Sequence, residues 1–345
     1  MNRKTQLSRR QDQTVDNSSK SAPEAGATPL GGDVYAIDTL MAGFSGITAG
    51  YLVLGDRPAL IETGTAKSAP VVQAALSTLG VEAADLSTVI VTHIHLDHAG
   101  GVGDITRAYP NAQVVVHEQG ARHLVDPSRL LASARRIYGP VMDDVFGELL
   151  PTEQERVRAV GEADVVDLGG GRRIQLRYSP GHARHHIGLL DETTGDLYVG
   201  DAAGVYFPDA DILRPATPPP DFDLDVALES IELFRAMRPS RLLFSHYGPV
   251  EHVEEILDRA EEELRLWVEL VREARRDELD LDHAVDMVRA RTAERYAAIY
   301  TDPELDTKFE RLNSFPANIV GINRWLDRVE GAASVAMGDA GESSR

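Results

Sequence analysis

The residues best suited to chemistry lie in one short segment, V-T-H-I-H-L-D-H-A-G-G, at positions 91–101. It holds His93, His95, Asp97 and His98, although the chain has only 11 histidines. Imidazole and carboxylate groups together suit zinc, and they also suit iron or manganese. The chain has no cysteine, which excludes thiolate metal sites, cysteine nucleophiles and disulfides. The segment therefore predicts a metal site built from histidine and aspartate.

The elements around this segment explain how its four polar side chains can converge. The apolar run at 86–92 predicts a strand. Side chains two residues apart on an extended chain point the same way, so His93 and His95 share a face. The chain must then turn toward a helix near 101–108, which can return the other two side chains to the same place. A histidine-rich surface loop is the alternative, and the spacing H-x-H-x-D-H after an apolar strand disfavours it.

Short apolar strands alternate with helices through the first 250 residues. Strands are predicted at 33–38, 47–55, 59–64, 86–92, 113–117, 172–178, 186–191, 196–200 and 241–246, and helices at 67–79, 101–108 and 224–237. The intervening segment 118–160 is predicted to contain helices and loops, and 215–221 a rigid proline-rich loop. This alternation is typical of an α/β domain.

The hydrophobic pattern changes after residue 250 and predicts four regions. Residues 31–250 are predicted to form the α/β domain, and 251–332 a helical extension packed on it. The polar segments 1–30 and 333–345 are predicted to be disordered tails. We interpret the absence of a secretory signal and of an apolar run of roughly 20 residues as favouring a cytoplasmic protein without a membrane partner.

The segment H-x-H-x-D-H resembles the metallo-β-lactamase superfamily, and later motifs supply the rest of that family's pattern. S-P-G-H-A contains His182, L-Y-V-G-D-A contains Asp201 after an apolar run, and L-L-F-S-H-Y-G contains His246 at a strand end. The resemblance covers residues 31 to about 250. It implies an αββα sandwich with two metal ions at one edge.

The resemblance also assigns seven metal ligands. In the family pattern the first metal is held by His93, His95 and His182, the second by Asp97, His98 and His246, and Asp201 bridges them. The implied cofactors are two divalent ions, zinc first, with iron or manganese as alternatives. Because all ligands are histidine or aspartate, the set is more similar to glyoxalase II and the lactonases than to lactamases that replace ligands.

These ligands imply a hydrolase in which a metal-bridging hydroxide attacks an ester, thioester or lactone-type bond of a small molecule. Asp97 is the expected catalytic residue, because it could both bind a metal and accept a proton. Glu62, where the family usually has aspartate, and His186 are expected to support the ligands from behind without binding metal. The neighbouring His185 is expected to be exposed.

The substrate is less well indicated. Tyr206 and Phe207, together with the proline-rich loop, are predicted to line the mouth of the pocket. The arginines of segment 272–276 could bind substrate carboxylates, as basic residues of the glyoxalase II extension do, or could simply form a solvated helix face.

Other activities of the same fold compete with this interpretation. A persulfide dioxygenase would use one iron, held by two early histidines and a later ligand. A nuclease is disfavoured because the net charge of −20 repels phosphate backbones, so nucleic acid is not an expected partner. A noncatalytic metal-bearing scaffold is disfavoured by the complete ligand set. A homodimer with the C-terminal helices near its interface is predicted.

Overall fold

The computed structural model describes residues 26–342, without the side chains of residues 209, 311, 312 and 332–342. Two β-sheets pack face to face and helices cover both outer faces. The predicted α/β class and αββα sandwich are confirmed.

The first sheet has seven strands that lie side by side in chain order. They are β1 (Ala27–Gly31), β2 (Val34–Asp38), β3 (Ala49–Val53), β4 (Ala59–Ile61), β5 (Thr88–Ile90), β6 (Gln113–His117) and β7 (Val157–Val160). Strands β4 to β7 are parallel, and β1 to β4 are antiparallel. The helices that belong to this half are α1 (Ala69–Thr78), α2 (Leu96–Ala99), α3 (Val102–Ala108), α4 (Glu118–Val125) and α5 (Ser128–Tyr138).

The second sheet has six strands in the spatial order β15-β14-β11-β10-β9-β8. In chain order they are β8 (Ala163–Asp167), β9 (Arg173–Tyr178), β10 (Ile187–Asp191), β11 (Asp196–Gly200), β14 (Arg241–Phe244) and β15 (Gly248–Val250). A separate hairpin, β12 (Val205–Phe207) and β13 (Ile212–Arg214), leaves this sheet after β11. Strands β11 and β14 are parallel neighbours, so their carboxyl ends meet at one edge.

Helices cover the second sheet and form the extension. They are α6 (Leu224–Ala236), α7 (Val253–Arg276), α8 (Leu281–Arg291), α9 (Ala297–Thr301), α10 (Pro303–Leu312) and α11 (Phe315–Glu342). One hydrophobic cluster joins Phe244 of the sheet to Trp267 and Leu326 of the extension. The division near residue 250 therefore stays a prediction. None of the helices within residues 26–342 has both the length and the apolar character that crossing a bilayer requires.

Successive residues of a strand in the first sheet face two different hydrophobic cores, one under the helices and one between the sheets. In β6, Val114 and Val116 pack under the helices of the first half, whereas Val115 faces the core between the sheets. Both faces of a strand buried in this way must be apolar, which explains the unbroken V-V-V run.

The amino end of the fold begins earlier than predicted. Strand β1 lies largely inside the segment 1–30 that was predicted to be a disordered tail, and Ala27 and Thr28 pair with Ile37 and Ala36 of β2. The strand is an edge strand with no fully buried residue, so its sequence lacks apolar alternation. Residues 1–25 lie outside the described part of the chain.

Two other segments also differ from the predictions. Strand β7 lies in the segment 118–160 that was predicted to contain only helices and loops, and β8 follows it unpredicted. Both are edge strands with a single buried valine, which gives a weak hydrophobic signal. Helix α11 continues to Glu342, past the predicted tail boundary at residue 333, because its alanine-rich end favours helix.

Candidate metal centre

The predicted ligands lie at strand ends and in the loops that follow. His93 and His95 come after β5, which ends at Ile90, two residues earlier than the sequence predicted. Asp201 directly follows β11, and His246 follows β14 by two residues. His182 lies in the loop between β9 and β10. All seven predicted ligands take part in three overlapping groups whose potential ligand atoms lie within 4.8 Å of one another.

Close packing at the end of β11 requires a glycine. Gly200 has a φ of 52°, and a Cβ at this position would lie 2.4 Å from His186 Nε2 and 2.6 Å from Thr92 Oγ1. Only glycine therefore lets β11 deliver Asp201 to the edge where the histidines meet.

The first group contains three histidines. His95 Nδ1 lies 3.0 Å from His93 Nε2 and 3.0 Å from His182 Nε2. Nitrogen ligands at the usual zinc distance of about 2.1 Å in a tetrahedron are separated by roughly 3.4 Å. The three nitrogens are therefore close to the separation that one shared ion requires.

The second group contains Asp97, His98 and His246. His246 Nε2 lies 3.1 Å from His98 Nε2 and 3.4 Å from Asp97 Oδ2, and His98 Nε2 lies 3.7 Å from the same oxygen. These separations also bracket the value for ligands of one ion.

Asp201 faces both groups. Its Oδ1 lies 3.4 Å from His98 Nε2, and its Oδ2 lies 3.6 Å from His182 Nε2. Asp201 Oδ1 is buried and makes no hydrogen bond to the described residues. A buried carboxylate oxygen without a hydrogen bond is unusual and is expected of a metal ligand. The donor set therefore fits divalent metal ions.

Four of the histidines are fixed through the ring nitrogen that faces away from the centre. His93 Nδ1 lies 3.0 Å from the Thr92 hydroxyl, and His98 Nδ1 lies 3.0 Å from the Glu62 carboxylate. His182 Nδ1 lies 2.9 Å from the Ala216 carbonyl, and His246 Nδ1 lies 2.9 Å from the Ile47 carbonyl. Carbonyl and carboxylate oxygens only accept, so His98, His182 and His246 carry a proton on Nδ1, whereas the Thr92 hydroxyl beside His93 can donate or accept. In each of the four rings Nε2 is the nitrogen left to face the metal position.

Glu62 and His186 lie behind the ligands. Glu62 is fully buried at a φ of 63°, and its Oε1 accepts a hydrogen bond from Thr92 N at 2.7 Å. His186 Nδ1 lies 2.9 Å from Ser179 Oγ, and its Nε2 accepts from Asp201 N at 3.3 Å. Each thus contacts a ligand or the backbone beside it, in the supporting position that the sequence indicated.

The expectation that His185 is exposed is wrong. His185 is buried, its Nδ1 accepts from Ile94 N at 3.4 Å, and its ring stacks at 6.2 Å from that of His93. The run H-A-R-H-H-I-G does not reveal which histidine turns inward, because the loop is not a regular strand.

Burial lowers the pKa of all three histidines of the first group below the ordinary value, and that of His95 to about 4. Neighbouring imidazoles lower the pKa of His93 and His95 further. These rings are therefore neutral at pH 7, the form that binds metal.

The second group has the opposite electrostatics. Burial disfavours charge on His98, but Asp201, Asp97 and Glu62 outweigh it and raise the pKa of His98 well above its ordinary value. Burial also opposes ionisation of Asp97, but His98 and His246 hold the pKa of its carboxyl below the usual range. The carboxylates stay ionised, and an ion that binds here must displace the proton of His98.

The prediction that Tyr206 and Phe207 line the pocket mouth is not met. The cavity beside His182 and Asp201 has walls from the hairpin and from helices α6 and α7, and neither aromatic belongs to those walls within the described residues. The Phe207 ring packs on Phe309 at 4.0 Å, and the Tyr206 hydroxyl donates to Asp211 at 3.2 Å. The Phe207 ring therefore packs on the extension, and the Tyr206 ring lies 5.9 Å from that of Phe244 in the second sheet.

Two residues near the centre were missed by the sequence analysis. Glu263 of α7 is buried and contributes a carboxylate to the walls of that cavity. Tyr138, at the end of α5, is 43% exposed and its ring contacts Phe146 at 4.6 Å. Although part of the residue is exposed, desolvation raises the pKa of the Tyr138 hydroxyl, and the negative charges of Asp97 and Asp201 raise it further. A tyrosine at a helix end gives no local signal that could have identified it.

The arginines of the extension are paired with carboxylates. Arg275 contacts Asp327 at 2.8 Å and Glu330 at 3.0 Å, and Arg276 contacts Glu269 at 3.3 Å. These ion pairs favour the interpretation of this stretch as a solvated helix face.

Comparisons with known proteins agree with the geometry. Residues 42–246 match the family described as the metallo-beta-lactamase superfamily. The chain is 31% identical over 194 residues to the metallo-beta-lactamase fold-containing protein ST1585 of Sulfurisphaera tokodaii, covering 54% of this chain and 71% of that protein. The crystal structure of ST1585 from Sulfolobus tokodaii superposes with a TM-score of 0.57 at 27% identity, over 66% of this chain and 84% of that chain.

Two enzymes match shorter segments. A hydroxyacylglutathione hydrolase of Vibrio campbellii is 31% identical over 145 residues, which is 42% of each chain. An atrochrysone carboxyl ACP thioesterase of Aspergillus terreus is 28% identical over 125 residues, which is 36% of this chain and 29% of the thioesterase. The chain thus matches less than half of the length of either enzyme.

Proposed function

Because the chain belongs to the metallo-β-lactamase superfamily and relatives that match it are named as hydrolases, we propose that it cleaves an ester, thioester or lactone-type bond of a small molecule in a metal-dependent reaction. The observation that carries the proposal is the position of Asp201. Its two oxygens face two separate groups of ligands, at 3.4 Å from His98 Nε2 and 3.6 Å from His182 Nε2. A bridging carboxylate of this kind is suited to a centre with two divalent ions.

Zinc is the first choice of metal, and iron or manganese would suit the same donors. When bound, two such ions would polarise the substrate carbonyl and lower the pKa of a water molecule to about 7. Before any ion arrives, Nδ1 of His98, His182 and His246 is fixed by a protein oxygen, so Nε2 of each of these rings faces the centre.

Asp97 is the proposed proton acceptor. Its side chain is 17% exposed, compared with 8% for Asp201, so it reaches the solvent side of the centre. Its low pKa keeps the carboxylate ionised, and a positioned carboxylate can accept a proton from an attacking water and return it to the leaving group.

Tyr138 is the proposed donor to the substrate. Its hydroxyl has no hydrogen-bond partner among residues 26–342, and its ring is held by Phe146. A tyrosine hydroxyl is protonated at neutral pH, so Tyr138 can donate to an oxygen of a substrate bound close to Asp97 and Asp201. This role replaces the one that Tyr206 and Phe207 were expected to have.

The bond class is supported by the named relatives, one a hydroxyacylglutathione hydrolase and the other an ACP thioesterase. The alternative of a mononuclear iron persulfide dioxygenase has less support. A one-iron site would leave the second group without an ion, yet the potential ligand atoms of Asp97, His98 and His246 also converge within 4.8 Å of one another.

A substrate panel on protein of measured metal content tests the proposal. Thioesters, esters, lactones and phosphodiesters are offered to zinc-reconstituted protein and to the same protein after chelation. We expect turnover of a carbonyl substrate that chelation removes and zinc restores. Oxygen consumption with a persulfide by protein that holds one iron would contradict the proposal.

A further inference from the structure

The segment whose backbone carbonyl orients His182 is itself held by other residues. The Ala216 carbonyl, which accepts the Nδ1 proton of His182 at 2.9 Å, belongs to the segment 214–217 between hairpin β12–β13 and the following prolines. This carbonyl decides which way the imidazole points, so its own position has to be fixed.

Two buried asparagines of the helical extension fix that segment. Asn318, in α11, accepts at Oδ1 from the Thr217 backbone N–H at 2.7 Å and from the Thr217 hydroxyl at 2.9 Å. Asn313, just before α11, donates from Nδ2 to the Pro215 carbonyl at 3.0 Å. The Ala216 carbonyl is therefore flanked on both sides by residues bonded to the extension.

The two asparagines also hold each other. Asn318 Nδ2 donates to Asn313 Oδ1 at 2.6 Å, and Arg214 Nη1 donates to the Asn313 carbonyl at 2.8 Å. Both asparagines are buried. In a buried network every removed partner leaves a polar group unsatisfied, so loss of one member displaces its neighbours.

The backbone of helix α11 packs directly against the backbone of the 214–217 segment at Gly321. A Cβ on Gly321 would lie 1.8 Å from the Thr217 carbonyl oxygen, so no other residue fits this position without moving the helix. The packing of α11 on the rest of the fold therefore requires this contact with the 214–217 segment.

We infer that the helical extension is a working part of the metal centre, in which Asn318 and Asn313 act as positioning residues that orient His182 through the 214–217 segment. The inference concerns the same centre as the proposed function, but it is tested without any substrate.

The first test is nuclear magnetic resonance of metal-free protein labelled with ¹⁵N-histidine. Asn318→Ala should shift the ring signals of His182, because the Ala216 carbonyl moves or loosens. The matched control is Asn323→Ala, the same substitution further along α11, at an asparagine whose Oδ1 accepts from Arg275 Nη1 at 3.4 Å. The control should leave His182 unchanged. Unchanged His182 signals in Asn318→Ala, or equal shifts in both variants, would overturn the inference.

Thr217→Val serves if Asn318→Ala does not fold. It keeps the backbone N–H that Asn318 accepts and removes only the hydroxyl bond, so a smaller shift of the same His182 signals is expected. No shift in this folded variant would count against the inference.

The second test is zinc affinity by competition with a chelator. Loss of a group that supports a ligand typically weakens metal binding about 10- to 100-fold. Asn318→Ala should weaken one of two zinc equivalents by at least about tenfold, whereas Asn323→Ala should weaken neither. If the wild type binds no zinc, the proposed function fails, and the ring signals of the metal-free protein still decide the inference.

Discussion

Glu62 Oε2 accepts a hydrogen bond from His98 Nδ1 at 3.0 Å, and both side chains are fully buried. The other oxygen of the same carboxylate binds the backbone N–H of Thr92, the residue before His93. One carboxylate therefore ties a ligand of the second group to the segment that carries the first. The family usually has aspartate at this position, and in this chain glutamate makes both contacts.

Glu62→Gln should weaken the second metal position. The amide removes the negative charge that faces His98, so the ring becomes a poorer ligand and loses a fixed orientation. We expect zinc affinity at that position to fall at least about tenfold while the three-histidine group keeps its ion. Chelator competition measures both, with Glu118→Gln at the exposed start of α4 as the control. Equal zinc affinities in the variant and the wild type would show that Glu62 does not support the centre.

Asp97→Asn should remove the second metal and most of the activity. The substitution keeps the shape of the side chain but loses the charge and the proton acceptor. The kcat should fall at least about 100-fold, while the circular dichroism spectrum stays that of the wild type. Metal content and kcat are measured on one sample. Two retained metals with near-normal turnover would refute the role assigned to Asp97.

Tyr138→Phe should reduce kcat/KM without changing metal content. The ring contact with Phe146 survives, and only the hydroxyl proposed to donate to the substrate is lost. A hydrogen bond to a substrate oxygen that gains charge is worth roughly a factor of ten. Ile137→Ala, on the neighbouring and more exposed residue, is the control and should leave kcat/KM unchanged. Wild-type kinetics in Tyr138→Phe would rule out this contact.

Trimming the amino end should separate a dispensable tail from an edge strand. Removal of residues 1–25 should leave the melting temperature unchanged, since the pairing of β1 with β2 is retained. Removal of residues 1–31 deletes β1 and should lower the melting temperature by at least about 3 °C. Scanning calorimetry compares the two, and identical melting temperatures would mean that β1 contributes nothing to stability.

The ligands could be predicted from sequence because each lies in a short motif at a strand end. H-x-H-x-D-H, S-P-G-H and G-D are local patterns, and neighbouring strand ends bring them to one edge. Buried strands such as β6 could be predicted equally well, since both of their faces must be apolar.

The missed features depend on contacts that are distant in sequence. Asn318 meets Thr217 across 101 positions, and no local pattern marks either as a partner of the other. Tyr206 and Phe207 were assigned to the pocket from their distance to Asp201 along the chain, whereas the direction of a hairpin side chain depends on the surface it packs against. Edge strands β1, β7 and β8 have few buried residues and so little hydrophobic pattern.

The most direct measurement is a zinc titration of metal-free protein during hydrolysis of its best thioester or ester substrate. A centre with two ions bridged by Asp201 predicts that the rate rises to its maximum at two equivalents of zinc per chain. A maximum at one equivalent, or activity that depends on a single iron, would contradict the two-metal hydrolase.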